Sequence, residues 1–99
     1  MLMIRDIMYC KPGKVRPMVD KFLAIKKLSE KSGGMKMRIL TDLSAERFWT
    51  VVAEIEAPSL EAFLSMEQGS DDMKEMEKIM DGYHDLVDHG RREIYTIEG

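Results

Sequence analysis

With a single cysteine, Cys10, the chain can close no internal disulfide and build no multi-cysteine metal site. One free thiol fits a reducing compartment. There are only two histidines, His84 and His89, five positions apart. A helix-borne zinc site uses an i, i+4 pair, so no tightly bound metal is expected. No apolar run approaches the roughly 20 residues that cross a bilayer. Charge arrives at Arg5 and Asp6, too early for a signal peptide. The expected setting is therefore cytoplasmic, with no membrane partner. An excess of basic residues is also lacking: 15 Lys and Arg face 18 Asp and Glu, for a net charge of −3. Phosphate backbones are held by basic clusters, so nucleic acid is not an expected partner.

What is present describes a folded protein. The chain is 44% hydrophobic and 33% charged, the balance of an ordered globular chain. Its 99 residues make one domain, 1–99. A core of this size is modest, so burying further apolar surface between two copies would help it. Ten methionines are many for this length. Methionine is unbranched and polarizable, and it fits either a plastic core or a deformable pocket.

The order of hydrophobic periods is the strongest signal. Residues 2–10 alternate, with Met3, Arg5, Ile7 and Tyr9 on one face and Ile4, Asp6, Met8 and Cys10 on the other. Both faces are mostly apolar, so this strand reads as covered on both sides. Lys11-Pro12-Gly13-Lys14 is a turn. A helix follows to about Lys31, with Val15, Met18, Val19, Phe22, Ile25 and Leu28 in its stripe. Pro17 fits its first turn and Gly33-Gly34 stops it. Residues 35–42 and 47–56 alternate as two antiparallel strands joined by Leu43-Ser44-Ala45-Glu46. In the second of these, Trp49 shares a face with Val51, Ala53 and Ile55. Ser59 is placed to cap a short helical patch of Leu60, Phe63, Leu64 and Met66. A further helix is expected from a Ser70 cap through Met73, Met76, Met80, Tyr83 and Val87 to Gly90. A last strand is expected over 91–98. The class is α+β: a ferredoxin-like βαββαβ chain, a four-stranded antiparallel sheet with its helices on one face.

Three segments then resemble a known family. Lys11-Pro12-Gly13-Lys14 follows strand one, Ser59-Leu60-Glu61-Ala62-Phe63 opens the second helical region, and Gly90-Arg91-Arg92-Glu93-Ile94-Tyr95 enters the last strand. With the βαββαβ order, they resemble the dimeric α+β barrel superfamily. Within it the chain is similar to the antibiotic-biosynthesis-monooxygenase-like and NIPSNAP-like branches. The resemblance implies a homodimer formed by sheet-to-sheet packing, with an interior that holds a small apolar ligand. It leaves a choice of roles open: a cofactor-free monooxygenase or isomerase, a non-catalytic or stress-related binding module, or a purely structural homodimer with a filled interior. Haem-degrading members carry a strand-one asparagine, and this chain has no asparagine. Neither haem nor any other cofactor is expected.

The candidate site residues follow from this picture. An apolar cavity with a few inward polar groups would suit an electron-rich phenol. Asp6 is the candidate base and Arg38 the candidate stabiliser of a phenolate. His84 is a third catalytic candidate. Tyr9, Trp49 and Tyr83 are candidate ligand-binding residues. The alternative readings are that Arg5, Asp6 and Arg38 pair with one another or meet water, that Trp49 is core, and that His84 lies at the surface.

Overall fold

The structure is a computed structural model. It describes residues 1–31, 34–68 and 72–99, without the side chains of residues 66–68 and 72–73. The strands are β1 (Leu2–Cys10), β2 (Met37–Thr41), β3 (Thr50–Ala57) and β4 (Val87–Thr96). The helices are α1 (Val15–Lys31), α2 (Leu60–Gln68) and α3 (Asp72–Met80), and a 3₁₀ turn covers Tyr83–Asp85. The sheet order is β2-β3-β1-β4, and every neighbouring pair is antiparallel. This is the α+β, ferredoxin-like arrangement expected from the sequence.

The pairing register sorts the side chains onto two faces. Ile4 lies opposite Ile55 on one side and Ile94 on the other, and Met37 lies opposite Ile55. Antiparallel partners share a face. The even positions of β1 therefore join the odd positions of β2 and β3. This is the face that the helices cover. Ile4, Val51, Ala53 and Ile55 form one buried cluster with Met18, Phe22 and Ile25 of α1 and Phe63 of α2. Met76, Ile79 and Met80 of α3 pack at its edge.

Local chemistry sets the helix ends. Gly13, at φ 79°, closes the turn before α1, and the Lys14 N–H donates to the Lys11 carbonyl at 3.0 Å. A left-handed residue costs glycine nothing. The Ser59 hydroxyl accepts the Ala62 N–H at 3.1 Å, the cap expected for α2. Gly69 and the Ser70 cap expected for the next helix, with the side chains of Met66 and Met73, lie outside the described residues. Lys21 of α1 donates to the carbonyls of Ile79 at 2.9 Å and Asp81 at 2.6 Å, satisfying free acceptors at the end of α3.

Two expectations are corrected. The last helix does not run to Gly90. α3 ends at Met80, Gly82 turns left-handed at φ 81°, and β4 begins at Val87. His84 therefore sits in the 3₁₀ turn, and His89 sits in a strand rather than at a helix end. The third strand starts three residues later than expected. Trp49 lies just outside it, at φ 64°, and is 44% exposed, so it is not core within one chain. The left-handed backbone ends the alternation that would have carried its ring inward. The longer connection is closed by Asp42: its carboxylate accepts the Thr50 N–H at 2.8 Å. Among the described residues, no helix is long and apolar enough to cross a membrane.

Candidate functional site

A cavity of about 600 Å³ lies between the sheet and the helices. That is within the usual size range of small-molecule sites. Its floor is the helix-side face of the sheet, with Met8, Met37, Ala53 and Ile55; its walls include Phe22 and Ile25 of α1, Phe63 of α2 and Met76 and Met80 of α3. The periods that make these elements amphipathic also make the cavity apolar. The resemblance placed a ligand in the space between two sheets, but this cavity is on the opposite side.

Two pairs of polar groups enter this lining. Asp6 is the single charge on the helix-side face of β1. Its carboxylate takes Arg92 of β4 in a two-point pair, 2.6 Å from Nε and 3.2 Å from Nη2. The register requires this, because Asp6 and Arg92 are direct cross-strand partners. The Arg92 guanidinium carbon lies 5.0 Å from the centroid of the Phe63 ring, close enough for a cation–π contribution. Phe63 is itself 1% exposed. Tyr83 and His84 also line the cavity, their ring centroids 4.0 Å apart. The Asp6–Arg92 pair can orient a ligand oxygen and supply a countercharge beside an otherwise mostly apolar lining.

The six candidates from the sequence thus divide. Asp6, Tyr83 and His84 all line the cavity. Arg38, Tyr9 and Trp49 do not. Arg38 lies on the uncovered face, paired with Glu54. Glu54 is 3% exposed there because Arg38 and Arg5 close over it. Burial alone would raise its carboxyl pKa, but hydrogen bonds from Arg38 and Arg5 outweigh burial and hold it below the ordinary value. Tyr9 is buried on the same uncovered face, its ring 4.8 Å from that of His89, under the guanidinium of Arg47 at 4.7 Å. Trp49 borders a smaller cleft with Val15, Arg16 and Phe48. Sequence reasoning missed Arg92 as a site residue. Its only signal was a second arginine in an otherwise alternating run, and its partner is 86 positions away.

Cys10 is buried on the helix side, and burial followed by the nearby Asp42 pushes its thiol pKa up. That favours the neutral, unreactive form. Among the described residues, no group of three or more His, Cys, Asp and Glu side chains is arranged to hold a metal ion.

No family description matches the chain, and no curated protein matches it in sequence. Solved structures do match its fold. A provisionally named antibiotic biosynthesis monooxygenase from Nitrosomonas europaea superimposes with a TM-score of 0.76 at 15% identity, over 100% of both chains. A similarly named protein from Deinococcus radiodurans gives 0.74 at 11% identity, over 100% of this chain and 94% of that one. An uncharacterized NIPSNAP domain protein from Burkholderia xenovorans gives 0.71 at 13% identity, over 98% and 94%. The chain has the ferredoxin-like α+β fold that these antibiotic-biosynthesis-monooxygenase-like and NIPSNAP structures share. At such identities the likeness is one of fold, and fold alone does not fix an activity.

Proposed function

We propose that the chain binds an apolar, aromatic small molecule in the cavity between sheet and helices, as a cytoplasmic homodimer. The observation that carries this reading is a large apolar cavity whose lining includes the Asp6–Arg92 ion pair, with Tyr83 and His84 as further polar groups. A ring would lie among the apolar walls, with its oxygen substituent toward Arg92. The names of the Nitrosomonas and Deinococcus structures support monooxygenation as the reaction, and we take it to run without a cofactor. In that reaction Asp6 accepts the phenolic proton and Arg92 stabilises the resulting phenolate. The electron-rich ring then reduces dioxygen itself. One oxygen atom enters the ring as a carbonyl, and the other leaves as water with the two displaced hydrogens.

A non-catalytic binding module is the second reading. It is favoured by the Asp6–Arg92 pair, in which the candidate base is already engaged by a cation. Dioxygen uptake with a hydroxylated anthrone separates the two. Uptake by the wild type that is lost in Asp6→Asn supports the enzyme. Binding without uptake supports the module, and no binding at all overturns both.

A further inference from the structure

Five of the ten methionines line the cavity: Met8, Met35, Met37, Met76 and Met80. They reach it from different parts of the chain. Met8 comes from β1, Met37 from β2, Met35 from just before β2, and Met76 and Met80 from α3. Thioether side chains therefore bound the cavity on its floor and on its helical wall. Four of the five are only half-buried, whereas Met18, outside the cavity, is 0% exposed. The stiffer lining is Phe22, Ile25, Ala53, Ile55 and Phe63.

Met8 adds a geometric detail. A Cβ on Gly90, its cross-strand partner, would stand 2.8 Å from the Met8 sulfur. The thioether thus occupies a slot that only glycine leaves open. A methionine has three rotatable side-chain bonds and a polarizable sulfur, so it follows a ligand's outline at little cost. A cavity evolved for one rigid outline is better lined by leucine, isoleucine and phenylalanine, whose rotamers are few.

We propose that this cavity accepts apolar small molecules of differing outline, flat and linear alike, each bearing one hydroxyl group, and that its methionines supply the adjustment. The proposal rests on the reading of the cavity as a ligand site. It goes further, by assigning broad acceptance and the residues that confer it.

The test uses the full chain labelled with ¹³C at the methionine methyl groups, titrated with 1-naphthol and with octan-1-ol. Both probes bind, with dissociation constants within about tenfold of each other, the scale set by a methylene or two in an apolar pocket. The methyl signals of Met8, Met35, Met37, Met76 and Met80 move with both probes and reach different end positions for each. Those of Met1, Met3 and Met18 stay in place. In Met8→Ile with Met37→Ile, two stiff side chains suited to strands replace flexible ones. Affinity for one probe then falls by about tenfold relative to the other. Binding of only one probe by the wild type overturns broad acceptance and leaves the ligand site standing. Identical methyl end positions for the two probes, or equal losses in the variant, overturn the role of the methionines. Binding of neither probe overturns the ligand site and the proposal together. If the variant does not fold, the wild-type spectra alone decide.

Discussion

Arg5 Nε donates to Glu54 Oε2 at 2.9 Å in the middle of the sheet face that no helix covers. Arg38 closes the same carboxylate from the neighbouring strand, so the acid is buried on a face that no described helix covers. Replacing Glu54 by Gln removes the charge and leaves two cations facing each other. The arginine side chains are 43% and 58% exposed, so water screens part of the loss. The expected cost is about 1–2 kcal/mol, toward the lower end for hydrogen bonds to a charged group. The pH dependence has a definite sign. The folded-state pKa of Glu54 is lowered, so its contribution is full above the unfolded carboxyl value of about 4.3 and is lost as pH falls through the folded value. Urea melts of wild type and Glu54→Gln should therefore differ at pH 7 and converge as pH falls from the unfolded value of about 4.3 through the lower folded-state value.

Trp49 gives a different kind of test. As a buried aromatic it would cost about 3–5 kcal/mol on truncation to alanine. At 44% exposure it should cost about half that. Its backbone is left-handed at φ 64°, a conformation that costs a non-glycine residue about 1–2 kcal/mol. Trp49→Gly should therefore be at least as stable as Trp49→Ala, reversing the usual order. Thermal melts of the two variants decide this; a clearly less stable glycine variant would contradict the strain.

The same residue shows where the sequence is legible. β1 spans residues 2–10 and α1 ends at Lys31, both as the periods predict, because each has an unbroken pattern bounded by a turn or a stop. Trp49 continues the alternation of β3 on paper, yet its backbone has already left the strand. The stripe of Met76, Met80 and Tyr83 has helical spacing, and all three do pack against the core. A 3₁₀ turn after Gly82 meets that spacing as well as a longer helix would, so the period cannot distinguish them. At the cavity, Asp6 is legible as a lone charge on an apolar face. Arg92 is not, because the register that brings it to Asp6 belongs to the sheet rather than to any local run.

Leu40 tests the homodimer. It is 40% exposed on the uncovered face, opposite Val52. Tyr95 is 46% exposed on the same face. If two copies pack sheet against sheet, both side chains are buried between them. A glutamate at a half-exposed position changes the stability of a single chain by about 1 kcal/mol or less. Inside an interface it leaves an unpaired charge and costs several kcal/mol. Leu40→Glu should therefore stay folded and sediment as one chain, where the wild type sediments as two. A wild type that sediments as one chain at micromolar concentration would rule out the sheet-to-sheet dimer.

Gly90 joins the sheet to the cavity. It lies in β4 opposite Met8, on the helix-side face, and borders the cavity. An alanine Cβ there would stand 2.8 Å from the Met8 sulfur and 3.0 Å from the Ile7 carbonyl oxygen. The sulfur is near the end of a flexible side chain and can swing away. The carbonyl belongs to the β1 backbone and yields only if the two strands separate slightly. Gly90→Ala should therefore cost about 1–3 kcal/mol, the usual range for overpacking a close contact. It should also drive the Met8 side chain into the cavity. Affinity for 1-naphthol should fall by more than the loss of stability explains, with the melt still cooperative. A variant that binds as tightly as wild type would mean that Met8 swings elsewhere and that the cavity does not depend on the slot beside Gly90.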